Sequence, residues 1–376
     1  MENSFEKRVF VFGYGIISKL LIRILSDNGY EVINITRPTN KSNRLFALSP
    51  TNYEWIARFG HDLKESTPSF LLKKMKLFFG SHENLISIDA ENHFIDALAY
   101  MVREDCIEKS VESFNLDVIE VDNDDCELSY EDDAVILKSS NRTFKATLCF
   151  FTERGFRHQS IFNYEFLLKS YNQTAISFFC ETSNFDSNTA IQIFDHDSIL
   201  ALLPFDHNHG SIVWSCNQDL YEKFQKLNED QLSDDLNERL KGHATVKVKK
   251  LKTESFPLQK RIAKNVYNQS SILMGDAAHV IHPMAGQGLN LGFRDLRELE
   301  ILLKKRKSNN LGIESFLAKY NRHRKRDVVE LMYLTDSLYE FFPGSLGGNR
   351  TWMNKALKMF EKSDAVKTFF MDRAIQ

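Results

Sequence analysis

From Ser271 to Leu299, one stretch constrains what this chain can fold into more than any other. The apolar run Ser271-Ile272-Leu273-Met274 reads as a buried strand, and it delivers Gly275 and an acid, Asp276, at its end. Pro283, Gly286 and Gly288 then let backbone come close to something large and flat, since glycine has no Cβ to hold a ligand away. A helix pattern starts near Leu289 and carries Phe293, Leu296 and Leu299. A strand-end carboxylate suits the hydroxyls of a polyol. Backbone N–H groups at a helix start suit a phosphate or an electron-rich ring.

The N-terminus offers the other half of such a site. Val9-Phe10-Val11-Phe12 reads as a short buried strand, and Gly13-Tyr14-Gly15-Ile16-Ile17-Ser18 as a turn. Leu20, Leu21, Ile24 and Leu25 recur at helical spacing, Gly29 stops the helix, and Val32-Ile33-Asn34-Ile35 makes a second strand. This βαβ context suits a dinucleotide, with Gly13 and Gly15 at the pyrophosphate. The pattern is incomplete: the third glycine is Ser18, and Thr36 followed by Arg37 stands where an acid for the adenosine ribose is expected. By itself the opening serves a dinucleotide or plain α/β scaffolding equally well.

Composition narrows the class. A length of 376 residues allows one large core or two lobes, and 43% apolar with 26% charged residues is the balance of a globular protein. A net charge of -3 gives no basic face for nucleic acid. Cys106, Cys126, Cys149, Cys180 and Cys216 lack short paired spacing, which argues against zinc or a disulfide framework and fits a reducing compartment. Neither a membrane-spanning run nor a secretory signal is expected, so the expected location is cytoplasmic, with peripheral contact at the inner face of a membrane. No metal site is expected: His279 and His282 are three apart, but they lie in a turn without a third ligand. His207-Asn208-His209 reads as a solvent-facing hairpin loop, and Glu229 to Glu238 as a solvated helix face.

The string Gly275-Asp276-Ala277-Ala278-His279 through Pro283 to Ala285-Gly286-Gln287-Gly288-Leu289-Asn290 resembles the second flavin-binding motif of the group A FAD-dependent aromatic hydroxylases. Further segments carry the resemblance along nearly the full length. Arg44 with Leu45-Phe46-Ala47-Leu48-Ser49-Pro50 resembles the segment whose Arg approaches FAD, a guanidinium being suited to pyrophosphate by its forked donors. Ala90 to Leu98 resembles the helix start after the first crossover. Strand-like runs at 188–194, 200–204 and 211–215 resemble the sheet that roofs the substrate pocket. Ser255-Phe256-Pro257-Leu258 resembles the return to the flavin domain, and Tyr320 to Asp327 the opening of a C-terminal helical tail. The Ala-Gly-Gln-Gly-Leu-Asn turn at 285–290, the Leu-Ala-Leu-Leu-Pro strand at 200–204 and Phe369-Phe370-Met371 resemble the ubiquinone-biosynthesis branch.

That resemblance implies an α/β fold: a Rossmann-like FAD-binding domain (1–70, 85–160 and 250–300), an inserted mixed β-sheet substrate domain (161–249) and C-terminal helices (301–376). It implies an FAD-dependent monooxygenase that hydroxylates a polyprenylated aromatic ring in ubiquinone biosynthesis. O2 and an electron donor, NAD(P)H or a redox protein, are then co-substrates, and other ubiquinone-biosynthesis proteins are candidate partners. Asp276 would meet the ribityl chain, Gly286, Gln287 and Gly288 the flavin ring, with Gly275, Pro283, Leu289 and Asn290 completing the motif. No catalytic acid or base is implied, because the hard chemistry belongs to the cofactor. The family's middle Asp-Gly pair is here Arg154-Gly155, after the strand Ala146 to Phe151, which reverses a local charge. With Ser18 and Thr36, that departure keeps open an FAD-poor or flavin-free paralogue acting as a structural subunit. Apolar residues in the tail, including Leu338, Phe341, Phe342, Trp352, Phe360, Phe369 and Met371, lie among Lys355, Lys358, Lys362 and Lys367 and read as core or as a lipid- or partner-docking patch.

Overall fold

A computed structural model describes residues 7–37, 44–59, 70–79, 84–112, 118–139, 142–195, 197–249, 252–282, 287–309 and 312–341. Pro283 and Gly286, and the tail residues from 342 onward, lie outside the described residues, as do the side chains of Leu338 and Phe341.

Strand β1 (Arg8–Phe12) sits near the middle of a six-stranded sheet. On one side it pairs in parallel with β2 (Glu31–Thr36), and on the other with the Leu148–Phe151 strand, which pairs in turn with Ser271–Leu273. Val9, Phe10, Val11 and Phe12 are fully buried, as a parallel strand covered on both faces requires. Helix α1 (Ile16–Asp27) crosses between β1 and β2 and buries Leu20, Leu21, Ile24 and Leu25. Asn28 donates its amide to the Ile24 carbonyl at 2.8 Å, and Gly29 turns the chain at φ +82, where a side chain would be strained.

Because β1 goes to β2 on one side and to Leu148–Phe151 on the other, the strand order reverses between these two neighbours. A crevice opens at the carboxyl ends of strands at such a reversal. Gly13, Thr152 and Gly275 follow β1, Leu148–Phe151 and Ser271–Leu273 closely, so three chain segments far apart in sequence meet there. A second, nine-stranded mixed sheet is built on the 18-residue strand Phe166–Ser183, with Thr189–Phe194, Ser198–Pro204, His209–Asn217 and Glu254–Ala263 among its members. Trp214, Leu202 and Ile212 are fully buried beneath the Glu229–Leu240 helix, whose Leu232, Leu236 and Leu240 complete that second core.

Asn84–Asp89 and Glu254–Ala263 pair within the nine-stranded sheet, where long-range strand partners place them rather than their own composition. The helix expected from Ala90 to Leu98 is a single turn, Glu91–His93. Phe94 ends it in a left-handed conformation at φ 55, and the chain then enters the Ala99–Arg103 strand. The helix arrives later, at Glu104–Glu112. The expected C-terminal helix starts earlier than Tyr320 and runs Ile313–Phe341.

Candidate cofactor site

At the end of β1 the chain turns so tightly that only glycine fits. A Cβ on Gly13 would lie 2.0 Å from Thr152 Oγ1, 2.5 Å from Glu153 Oε2 and 2.6 Å from the Ser18 Cβ. Ser18, in place of the third glycine, is fully buried and donates to the Gly15 carbonyl at 2.7 Å. It therefore closes the turn with a hydrogen bond instead of leaving a gap. Gly15 is the residue before α1, and no side chain of its own caps the helix. The free N–H groups are met from another strand: Glu153 Oε1 accepts from Gly15 N at 3.0 Å, and Oε2 from Tyr14 N at 3.2 Å and Thr152 Oγ1 at 2.6 Å. The carboxylate oxygens stand where phosphate oxygens sit in a dinucleotide turn. The residues thus fit an anion there. Burial first, and the nearby Asp276 charge as well, push the Glu153 carboxyl up to about 7, against its hydrogen bonds to Thr152, Gly15 and Tyr14.

The adenosine end also carries reversed charge. Thr36 is half-buried at the end of β2, and Arg37 beyond it reaches back to the Arg154 carbonyl at 3.1 Å and to the Tyr14 hydroxyl and Gly155 carbonyl at 3.4 Å. Its guanidinium lies 5.3 Å from both the Tyr14 and Phe156 ring centres. Gly155 sits at φ +88, and a Cβ there would lie 3.0 Å from the Arg37 side chain, so this glycine is fixed by backbone conformation and space together.

The other half of the site is held from below. Gly275 adopts φ +52, its N–H donates to Asp295 Oδ2 at 2.8 Å, and a Cβ would lie 3.0 Å from the Thr152 carbonyl. Asp276 is exposed at the mouth. Asp295 also bonds His279 Nε2 at 2.8 Å and Arg324 Nε at 2.6 Å, and Arg324 continues to Asp327 and thence to Arg294. Burial pushes the Asp295 carboxyl up, but His279 and Arg324 outweigh it and hold the group below the usual carboxylate range. His279 is therefore a hydrogen-bond partner of Asp295 inside the fold. His282 is buried edge-on to Tyr171, with ring centres 5.0 Å apart, and burial pushes its pKa down to about 4.

Gln287 is buried at the start of the Gln287–Asn309 helix, Leu289 is half-buried, and Gly288 is exposed with open space where a Cβ would stand. Asn290 is fixed differently from its neighbours. Its side chain accepts from Ser49 N at 2.9 Å and Asn52 Nδ2 at 3.0 Å, and donates to the Ala47 carbonyl at 2.8 Å. It staples this helix to the Leu45–Leu48 strand and to α2 (Pro50–Ile56). Arg44 is likewise engaged, gripping Glu104 through Nη2 at 2.7 Å and Nε at 3.1 Å, within electrostatic reach of Asp276. Sequence reasoning passed over Glu153. The signal was an acid one residue ahead of the altered Arg154-Gly155 pair, legible only once Leu148–Phe151 is known to lie beside β1.

Residues 164–334 match the family model described as an FAD binding domain. The 3-demethoxyubiquinol 3-hydroxylase of Escherichia coli is 32% identical over 194 residues, 51% of this chain and 49% of that protein. Ubiquinone hydroxylase UbiL of Rhodospirillum rubrum is 28% identical over 207 residues, 54% of this chain and 48% of that one. The chain thus aligns with about half the length of these two relatives. With the mitochondrial ubiquinone biosynthesis monooxygenase COQ6 of Caenorhabditis elegans the alignment covers 88% of this chain and 84% of that protein, at 25% identity. Among solved structures, HpxO of Klebsiella pneumoniae, complexed with FAD and uric acid, superposes with a TM-score of 0.75 over 100% of this chain and 99% of that one, at 14% identity. The p-nitrophenol 4-monooxygenase PnpA of Pseudomonas putida gives 0.73 over 98% of each chain, at 17% identity. At such identities the likeness concerns the fold, and it agrees with the strand order and the carboxyl-end crevice: the chain has the fold of FAD-dependent monooxygenases, and its residues 164–334 match an FAD binding domain.

Proposed function

We propose that the protein is an FAD-dependent monooxygenase that hydroxylates a polyprenylated aromatic ring in ubiquinone biosynthesis. The observation that carries this reading is the meeting, at the carboxyl ends of β1, Leu148–Phe151 and Ser271–Leu273, of an anion-binding turn and an exposed strand-end acid. The sequence relatives described above are a ubiquinone hydroxylase, a 3-demethoxyubiquinol 3-hydroxylase and a ubiquinone biosynthesis monooxygenase. Tyr14 and Gly15 N–H would hold the pyrophosphate, Asp276 the ribityl hydroxyls, and the helix start at Gln287 and Gly288 the ring. FAD, when bound, supplies the oxygen-transfer chemistry; the chain supplies position and dryness. O2 and an electron donor, NAD(P)H or a redox protein, complete the reaction.

The test is restoration of ubiquinone in cells that lack such a hydroxylase, read by mass spectrometry of the quinone pool, together with the visible spectrum of the purified protein. A yellow protein that restores the pool supports the reading. A protein colourless at saturating FAD and unable to restore the pool overturns it. One observation favours a second reading, a flavin-poor structural subunit: the Glu153 carboxylate already holds the phosphate-binding N–H groups. Restoration by a protein that never takes up flavin decides for that reading.

A further inference from the structure

We propose that Glu153 is a built-in occupant of the dinucleotide phosphate site, and that FAD binds only as this carboxylate leaves the Tyr14 and Gly15 N–H groups. The inference rests on the reading that the chain takes FAD, and it concerns which residue sets the affinity. The geometry is closed. Glu153 Oε1 accepts from Gly15 N at 3.0 Å, and Oε2 from Tyr14 N at 3.2 Å and from Thr152 Oγ1 at 2.6 Å. A Cβ on Gly15 would itself stand 3.0 Å from Oε1, so the carboxylate lies directly against the turn and leaves no layer for a phosphate between. Both N–H groups belong to the start of α1, which carries no acidic residue in its first turn and no capping side chain. In a dinucleotide-binding turn these donors await the ligand; here a residue from the neighbouring strand end satisfies them.

Two physical consequences follow. A pyrophosphate approaching the turn meets like charge from Glu153 and Asp276, and it must exchange three existing hydrogen bonds before making its own. A flavin without phosphates meets neither obstacle. Glu153 therefore penalises FAD and leaves riboflavin untouched. The charge on Glu153 also varies with pH. The groups facing it are Thr152 from its own segment, the Tyr14 and Gly15 amides from α1, and Asp276 from the turn after Ser271–Leu273; Arg37, from the end of β2, bonds Tyr14 and the backbone of Arg154 and Gly155 alongside. With its carboxyl pushed up to about 7, Glu153 gains a proton on acidification and ceases to repel a phosphate. If only the protonated form yields the site, one proton linked at that value makes FAD bind about tenfold more tightly near pH 6 than near pH 8.

The experiment is titration of the full-length apo-protein with FAD and, separately, riboflavin, read by quenching of flavin fluorescence. It uses the wild type, Glu153→Gln and Glu153→Ala at both pH values. Melting temperatures confirm that each variant is folded, and the isosteric Gln variant covers the case in which Ala fails to fold. The expected result is FAD affinity raised about tenfold or more near pH 8 in the variants, riboflavin affinity unchanged, and the pH dependence of FAD binding abolished. Variants that bind FAD no better than the wild type overturn the inference, while wild-type FAD binding in the same titration leaves the proposed function standing. A parallel gain for riboflavin also overturns it, because the effect then lies outside the phosphate site. Failure of every form to bind either flavin overturns both readings.

Discussion

At the residue scale, one crevice contains an exposed acid expected to serve the cofactor and a buried acid that serves the fold. Asp276 is exposed at the mouth and props up no core contact, so Asp276→Ala should lose flavin while the apo-protein melts as before. Flavin content measured by absorbance, unchanged in the variant, would remove Asp276 from the site. Asp295 is the opposite case, buried and holding Gly275 N, His279 and Arg324 at once. Removing it leaves Arg324 in the interior with Asp327 as its remaining carboxylate partner and takes the acceptor from Gly275 N and His279, a loss of about 3–5 kcal/mol on denaturant unfolding of Asp295→Ala. Its carboxyl titrates lower in the folded than in the unfolded chain. The stabilisation it gives is therefore complete above the ordinary carboxylate range and is lost as pH falls through its folded value. The gap between wild type and variant should accordingly close in acid; a gap that persists there would mean the carboxylate is not the source. The motif string announced both acids' neighbourhood but assigned only Asp276, since nothing in a linear sequence says that Asp295 folds back under Gly275.

At the element scale, the site depends on three elements packing closer than most side chains allow. Gly292, inside the Gln287–Asn309 helix, leaves room for Ile17 of α1: a Cβ there would stand 2.8 Å from the Ile17 Cδ1 and 3.7 Å from the Gly275 Cα. Gly292→Ala gains about 1 kcal/mol of helix propensity and loses about 1–3 kcal/mol to overpacking, so a net destabilisation is expected. Ile17→Val removes the clashing methyl, and a double-mutant cycle on unfolding free energies should show the pair less than additive. Additive losses would show that the helix shifts freely and that close packing is not required. The helix periods of α1 and of Gln287–Asn309 were legible in sequence because their apolar residues recur on one face. The turn at Glu91–His93 was not, because its end depends on Phe94 adopting a left-handed conformation that its residue type does not favour.

At the scale of the whole molecule, the polyprenyl-tailed substrate we propose would have to arrive from lipid or from a partner, and among the described residues no helix is long and apolar enough to cross a membrane. The apolar and lysine-rich tail beyond residue 342 is the candidate contact by composition. Truncation after Pro343 should leave a folded protein that no longer recovers with liposomes containing anionic lipid. Unchanged sedimentation of the truncated protein excludes docking through the tail, and loss of its cooperative melting identifies the tail as core.

The class of fold was legible in the amino-acid sequence, as were the glycine turns, the strand-end acid and the helix start. Strand-end glycines, a strand-end acid and a helix start are local features, and their spacing survives in any fold that uses them. Only the tertiary structure decided who occupies what. That Leu148–Phe151 lies beside β1 brings Glu153 onto the Gly15 and Tyr14 N–H groups. That Glu104 reaches Arg44, and Ser49 and Asn52 reach Asn290, makes two expected cofactor residues ties between elements as well. Hydrogen-bond donors and charges are satisfied by whatever partner is nearest in space, and nearness between residues 60 or more positions apart is a property of the folded chain alone.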